Sequence, residues 1–212
     1  MRLSNQLTYD MKLKCGTDSV KTATIPPISL DELDLSEAAE HSWTQKVVSS
    51  SLDHSLIWLN TSTCINTPSK KTSIYSNTEA RVVCSACETL IQAGVAADSI
   101  GVITPYQAQV QLLKSMLSTS DVEVNTVDQY QGRDKSIIII SFARTEVSSN
   151  SKKTEGILSD ARRLNVALTR AKHKLILVGN REVLDVYDPI YKLLHTLRPH
   201  QIINLPADPV LK

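Results

Sequence analysis

The chain has 212 residues, of which 42% are hydrophobic and 21% charged, and its formal net charge at pH 7 is +1. This length and composition allow a single domain with a substantial core, with room for an appendage. They exclude a uniformly basic nucleic-acid-binding protein, because so small a net charge provides no overall attraction to phosphate. Any binding to nucleic acid must therefore come from local charge.

Membrane segments and disulfides are not expected. No apolar run approaches the roughly 20 residues that span a bilayer, and the N-terminal residues lack the pattern of a signal peptide. We therefore expect a soluble, intracellular protein without a membrane partner. The four cysteines lack the spacing of a disulfide framework, and no second pair joins Cys84 and Cys87 to complete a metal or redox site. The prediction is buried thiols and no metal site.

Residues 1–55 differ in composition from the rest of the chain. A short helical pattern over residues 3–9 and a turn precede two adjacent prolines, which close this unit. Residues 28–55 are polar, acidic and rich in serine. Their apolar anchors are Trp43, Val47 and Val48. We interpret residues 1–55 as an inter-domain lead-in followed by a partly ordered, polar and acidic insertion.

From residue 56 to residue 212, segments with strand and helix periodicity alternate. Strands are predicted at residues 56–59, 100–103, 122–124, 137–142 and 175–178. Helices are predicted at residues 78–93, 107–117, 160–171, 182–186 and 189–197. Such a βαβ series predicts an α/β domain in which a parallel sheet carries helices on both faces. The run 137–142 is continuously apolar, as expected of a central strand covered on both faces.

A basic segment between residues 160 and 174 carries five Lys or Arg residues. Asp160 is a good N-cap, and the apolar residues after it repeat at helical spacing. These residues are Leu164, Ala167, Leu168 and Ala171. Arg163 and Arg170 are seven residues apart, so on one helix they share a second face that borders the apolar stripe. This arrangement suits anion recognition; the alternative is a basic face in contact with water.

Ligands of parallel α/β sheets bind at the loops beyond the carboxyl ends of the strands. Three segments of this sequence have that position. Residues 104–109, 127–134 and 162–170 lie at such loops or on the helices that follow them. At these residues the sequence resembles the superfamily 1 helicases, and the three segments are similar in order and spacing to their motifs IV, V and VI. The resemblance implies that residues 56–212 are the C-terminal RecA-like domain of a superfamily 1B helicase, with a sheet of the P-loop-NTPase type. The similarity is greatest to the eukaryotic helicase/nucleases of DNA replication and repair.

The resemblance also implies which residues form the site. Arg170, the last Arg of motif VI, would be the arginine finger, and Arg163 is a second catalytic candidate. The implied nucleotide-binding residues are Gln131, Gly132, Arg133 and Asp134. The implied nucleic-acid-binding residues are Thr104, Pro105, Thr126 and Asp128. Gly132 would allow a backbone conformation that other residues resist.

Alternatives stay open for several of these residues. Arg170 could form a surface salt bridge, and Arg163 could couple its helix to a partner domain. Thr104 and Thr126 could be ordinary strand-end threonines. Motif IV also departs from the family pattern, because Gln107 and Val110 stand where many relatives have an Arg.

None of the six glycines is followed by Lys, so the chain contains no Gly-Lys-Ser/Thr phosphate loop. ATP and Mg²⁺ would therefore be shared with an upstream RecA-like domain, and this chain alone is expected not to hydrolyse ATP. By resemblance, a nuclease domain and its iron–sulfur cluster would also lie upstream. The whole helicase would act on single-stranded DNA in the nucleus, with the mitochondrion as a second compartment.

Two alternative functions remain. Motif VI is shared with RNA helicases of the nonsense-mediated-decay type, so RNA is a second candidate substrate. A truncated, non-catalytic module that binds nucleic acid or a partner through the same fold would also fit a chain without a phosphate loop.

Overall fold

A six-stranded sheet runs through the computed structural model, which describes residues 12, 14, 16–25, 42–65, 73–118, 120–146 and 158–209. The helical pattern predicted over residues 3–9 and the acidic part of the predicted insertion lie outside these residues. The strands are β1 (Leu56–Asn60), β2 (Ile100–Thr104), β3 (Glu123–Thr126), β4 (Lys135–Ser141), β5 (Ala171–Gly179) and β6 (Ile202–Asn204).

The spatial order of the strands is β3-β2-β4-β5-β1-β6, and every neighbouring pair is parallel. All strands of this sheet therefore end at one edge, which we call the carboxyl edge, and begin at the opposite one, the amino edge. A parallel arrangement requires connections that return across the faces of the sheet. The predicted parallel α/β fold is confirmed.

Helices cover both faces of the sheet. The helices of the described residues are α1 (Asp18–Lys21), α2 (Ser42–Val48), α3 (Asn77–Gln92), α4 (Gln107–Met116), α5 (Ala161–Leu168), α6 (Arg181–Leu184) and α7 (Asp188–Thr196). Side chains of α2, α3 and α4 form one apolar core with Ile137 and Ile139 of β4. Those of α5, α6 and α7 form a second core with Ile138 and Ile140. Because alternate residues of β4 enter opposite cores, this strand is central, as its continuous apolar run predicts.

The basic segment does not form one helix as predicted. Helix α5 ends at Leu168, and residues 171–179 form β5, the longest strand among the described residues. The backbone N–H of Lys135 donates to the carbonyl of Arg170 at 3.0 Å, which draws the chain into the sheet directly after Thr169. The apolar spacing of a helix continues to Ala171, but the long-range strand pairing decides where the helix ends. Arg163 and Arg170 therefore do not share a helix face.

Part of the predicted insertion is packed against the sheet. Trp43, Val47 and Val48 of α2 are buried in the first core. The strand β6, which pairs with β1, was not expected because three residues carry too little periodicity. The proposed domain boundary at residue 55 stays a prediction.

Lys174 ties α2 to the sheet through a buried ammonium group. Its side chain is 1% exposed, and Nζ donates to the carbonyls of Lys46 (2.9 Å), Ser49 (2.9 Å) and His54 (2.8 Å). The first two carbonyls belong to the C-terminal end of α2, where backbone acceptors lack partners within the helix. Burial lowers the pKa of Lys174 to about 7. The three carbonyls act in the opposite direction, because only the charged ammonium has three N–H donors to bind all of them.

Lys174→Met should destabilise the protein, because it removes the donor from three carbonyls and leaves them in an apolar setting. With about 1–3 kcal/mol for each buried group that loses its partner, the loss should be about 3 kcal/mol or more. Denaturant unfolding measures this loss. Lys172→Met is the matched control, because Lys172 is exposed on the same strand, and we expect a loss of less than about 0.5 kcal/mol there. Equal stability of the two variants would contradict the role of Lys174.

Candidate nucleotide- and nucleic-acid-binding site

Motif IV begins where β2 reaches the carboxyl edge. Thr104, the last residue of β2, is fully buried, and its Oγ1 accepts the backbone N–H of Tyr106 at 3.5 Å. Its hydroxyl therefore shapes the start of α4 and is not presented at the surface, contrary to its predicted contact with nucleic acid. Pro105 and Thr126, at the ends of β2 and β3, are partly exposed at the same edge.

Arg163 and Asp128 form an ion pair that joins motifs VI and V at the carboxyl edge. Asp160 caps α5 as predicted, since its carboxylate accepts the backbone N–H groups of Arg162 (2.9 Å) and Arg163 (3.2 Å). The Nε of Arg163 donates to Oδ1 of Asp128 at 3.0 Å, and Nη2 donates to Oδ2. Both side chains are exposed. Asp128 therefore holds and partly neutralises the arginine beside it.

The rest of motif V crosses from the carboxyl edge to the amino edge. Residues 127–134 connect the end of β3 to the start of β4, and Gly132 has the positive φ of +80° that its predicted role requires. Gln131 and Arg133 are exposed. Arg133 forms an ion pair with Glu123 at the start of β3.

Arg170 lies at the amino edge, between α5 and β5. Its Nη1 lies 2.8 Å from Oδ1 of Asp134, Nε donates to the carbonyl of Val166 at 3.0 Å, and Nη2 donates to Oγ1 of Thr169 at 3.2 Å. The side chain is 21% exposed. These three partners fix the plane of the guanidinium while part of it remains at the surface.

The predicted site residues therefore form two groups and not one. Thr104, Pro105, Thr126, Asp128 and Arg163 form the carboxyl-edge cluster. Gln131, Gly132, Arg133, Asp134 and Arg170 form the amino-edge cluster. The expectation that the motifs lie at loops beyond the carboxyl ends of the strands, or on the helices that follow them, describes the first cluster but not the second. The second differs because residues 127–134 return to the amino edge before β4 begins.

Sequence reasoning missed an arginine at the carboxyl edge. Arg144, three residues after β4, donates from Nε to Oη of Tyr106 at 3.0 Å. Its guanidinium carbon lies 5.6 Å from the centre of the Tyr106 ring, within the range of a cation–π contact. The pair joins the segment after β4 to the N-cap residue of α4, Tyr106. An isolated Arg in a loop offers no sequence signal for such a contact.

A buried polar network behind this pair was also missed. Oε2 of Glu79 accepts Oγ of Ser141 and the backbone N–H of Ala143, each at 2.8 Å. Gln109 donates from Nε2 to Oγ of Ser141 at 3.1 Å and to the carbonyl of Ser76 at 3.2 Å. Its Oε1 accepts the N–H of Ser76 at 2.8 Å. The network thereby joins the ends of α3, α4 and β4 at the carboxyl edge.

Glu79 is an unusual member of this network, because it is an acid in the interior. It is 1% exposed, and its Oε1 has no hydrogen-bond partner among the described residues. Burial raises its pKa to about 7, although the hydrogen bonds from Ala143 and Ser141 act in the opposite direction. Ala143, which it holds, has a φ of +57°, in the left-handed region that residues with a Cβ rarely adopt.

Glu79→Gln should remove a pH dependence of stability. The folded pKa of about 7 lies above the ordinary value of 4.5, so between these pH values the folded state binds more protons than the unfolded state. The free energy of unfolding should therefore fall as the pH rises from 4.5 to 7, by about 3 kcal/mol for this group. Denaturant unfolding of both proteins across this range measures the difference.

The control for this measurement is Glu88→Gln, an exposed position on the same helix. It should leave the pH dependence of the unchanged chain intact. Identical pH profiles for Glu79→Gln and the unchanged chain would contradict the elevated pKa.

Within residues 42–65, 73–118, 120–146 and 158–209 and the shorter described stretches before them, no three His, Cys, Asp or Glu side chains are grouped to hold a metal ion. Cys84 and Cys87 are buried free thiols, as is Cys64, and burial raises the pKa of Cys84 to about 12. None of the helices described here combines the length and apolar character of a membrane span.

Comparison with known proteins places the chain in a family. The family model described as AAA domain matches residues 1–182. The chain is 40% identical over 218 residues to the DNA replication ATP-dependent helicase/nuclease DNA2 of Homo sapiens, and the match covers 98% of this chain and 20% of that protein. For the helicase/nuclease of the same name in Schizosaccharomyces pombe, the identity is 41% and the coverage 95% and 14%.

A plant relative extends the similarity beyond animals and fungi. The DNA replication ATP-dependent helicase/nuclease JHS1 of Arabidopsis thaliana is 36% identical over 212 residues, covering 98% of this chain and 15% of that protein. The chain thus spans a fifth or less of the length of these relatives. The parallel sheet, the ordered motifs and these matches agree, and the chain belongs to the AAA domain family as a RecA-like helicase domain similar to part of the eukaryotic replication helicase/nucleases.

Proposed function

We propose that this chain is the C-terminal part of an ATP-dependent DNA helicase of replication and repair. It supplies an arginine finger and contacts to single-stranded DNA, and the phosphate loop that binds ATP lies in an upstream RecA-like domain. The observation that carries the proposal is the placement of Arg170. Asp134 and the carbonyl of Val166 hold its guanidinium in one plane, and the side chain is still 21% exposed at the amino edge.

The amino-edge cluster fits a triphosphate better than a metal ion. Arg170 and Arg133 provide guanidinium groups, whose planar forks match phosphate oxygens, and Gly132 places the backbone of motif V at the surface beside them. The described residues contain no group of acids that could hold Mg²⁺ alone. ATP would therefore contact Arg170, while its Mg²⁺ and the phosphate-loop Lys belong to the upstream domain.

Arg170 would act on the charge that develops during phosphoryl transfer. A guanidinium held before the reaction stabilises that charge without having to reorganise. Asp134 would orient this group and, being part of motif V, would link the nucleotide to the segment that reaches the carboxyl edge. Arg163 has its own acid, Asp128, in the other cluster, which favours a coupling role over a second contact with the γ-phosphate.

The exposed residues of the carboxyl-edge cluster would contact DNA. Pro105 and Thr126 lie at neighbouring strand ends, where backbone and hydroxyl groups suit sequence-independent contacts to phosphate. Arg163 of α5 is paired with Asp128, two residues after Thr126. DNA is favoured over RNA because the relatives are named as DNA replication helicase/nucleases. A nuclear location follows from the same reasoning. Nuclease activity and its iron–sulfur cluster would belong to other parts of such a protein.

Arg170→Ala tests the finger in a protein that joins this chain to its upstream phosphate-loop domain. ATP turnover should fall on the order of 10³-fold or more, while ATP affinity changes much less, because the contact strengthens in the transition state. Arg170→Lys should rescue poorly, since Lys keeps the charge but loses the planar fork. Steady-state ATPase with saturating single-stranded DNA measures this, with a melting curve to show folding.

Arg198→Ala is the matched control, because Arg198 is an exposed arginine near the start of β6 whose nearest described acid is Asp53 at 4.0 Å. It should leave turnover unchanged. If a folded Arg170→Ala variant retains more than about a tenth of the turnover, Arg170 is a structural salt bridge and the non-catalytic binding module becomes the better description.

The 212-residue chain by itself should bind single-stranded DNA weakly and show no ATP turnover. Since the contacts are to phosphate, affinity should fall steeply with salt, with a slope in log–log form of about −0.7 for each phosphate contacted. Titration of a labelled oligothymidine at several salt concentrations measures the slope. Salt-independent affinity would refute phosphate contacts, and clearly tighter binding to an RNA strand of equal length would favour the RNA helicase alternative.

A further inference from the structure

We propose that Arg144 is an additional contact for a phosphate of single-stranded DNA and that the buried carboxylate of Glu79 positions it. The inference rests on the proposed function, because it assumes that DNA passes along the carboxyl edge. Neither residue belongs to the three helicase motifs. Both lie where α3, α4 and β4 meet, beside the strand end that carries motif IV.

Arg144 has the features of a prepared phosphate contact. Its bond to Oη of Tyr106 and its position over the ring fix the guanidinium plane. The side chain is partly exposed, and a planar group with several N–H donors suits bidentate contact with a phosphate. Tyr106 is also the N-cap of α4, a ten-residue helix whose first turn holds no acid, so the helix dipole adds positive potential at the same place.

The backbone before Arg144 is held in an unfavourable conformation. A left-handed φ at a residue with a Cβ costs roughly 1–2 kcal/mol, and Ala143 adopts one at +57°. Strain of this kind persists only where the surroundings impose it, and it collects at sites where chain direction matters. Here the carboxylate of Glu79 imposes it, by accepting the N–H of Ala143 directly before Arg144.

Glu79 also fixes both partners of the Arg144–Tyr106 contact to one another. Its Oε2 holds Ser141 at the end of β4, and Ser141 in turn accepts a bond from Gln109 of α4, the helix that Tyr106 caps. An acid that only filled the core would be replaced by an apolar residue at no loss, since burial opposes its charge. Its bonds instead converge on residues 141–143, directly before Arg144. We assign Glu79 as a positioning residue for Arg144.

The test is the salt dependence of oligothymidine binding by the 212-residue chain. Arg144→Ala should reduce the magnitude of the log–log slope by about 0.7, equivalent to one phosphate of a single strand. Arg198→Ala removes the same charge at the amino edge and should leave the slope unchanged. Melting curves of both variants show whether the fold is intact.

Glu79→Leu tests the positioning role. It should reduce the slope by the same amount as Arg144→Ala, although Arg144 is still present, and the double variant should show no further loss. Glu79→Gln, which retains an oxygen that can accept the N–H of Ala143, should keep most of the slope. If Glu79 had only a structural role, Glu79→Leu would lower the melting temperature and leave the slope unchanged.

Tyr106→Phe provides a second route if Glu79→Leu does not fold. It removes the acceptor of Arg144 at the surface but keeps the ring, so it should reduce the slope partly with little change in melting temperature. A full slope in this variant and in any folded Glu79→Leu protein would overturn the positioning role.

The remaining outcomes separate the inference from the proposed function. If the unchanged chain binds oligothymidine and Arg144→Ala behaves like Arg198→Ala, the phosphate contact at Arg144 is refuted and the proposed function stands. If the unchanged chain does not bind single-stranded DNA at all, DNA contact at the carboxyl edge is refuted, and the inference falls with it.

Discussion

The constraint on which the structure depends is the burial of both faces of a parallel sheet. The isoleucines of β4 alternate between two cores, each closed by three helices, so neither face has room for a polar site. Charged and hydrogen-bonding groups must therefore collect at the two edges. Motifs V and VI accordingly reach both edges, with Asp128–Arg163 at one end and Asp134–Arg170 at the other. This division would let one domain respond to two ligands at a distance.

Most of the fold could be predicted because apolar periodicity is a local signal. The five predicted strands and the helices after residue 56 appear near their predicted positions, and the central place of β4 follows from its composition alone. The end of α5 could not be found in this way. Residues 164, 167, 168 and 171 keep helical spacing, but a backbone bond from Lys135 takes Arg170 into the sheet. That bond depends on a strand 35 residues earlier in the chain.

The residues of the site could be predicted from the sequence, but most of their contacts could not. Resemblance to a helicase family supplied the motif residues but not their acid partners, nor the burial of Thr104. Glu79 follows Ser76 at the spacing of a capping box, which predicts that its carboxylate turns back to the helix start. Gln109 takes that place and Glu79 reaches Ala143, 64 residues away. The burial of Lys174, which is one of the basic residues between 160 and 174, could not be predicted either. Its three partners lie 120 or more residues earlier in the chain.

The strand order also bears on how the chain can assemble during synthesis. The first of the six described strands, β1, pairs only with β5 and β6, both of which lie between residues 171 and 204 and emerge from the ribosome long after it. Until then β1 presents unpaired backbone groups and apolar side chains such as Trp58 and Leu59, an arrangement that favours association between chains. A nascent chain stopped before residue 171 would thus keep its earliest strand without a neighbour, and chaperone binding should be most needed in that interval.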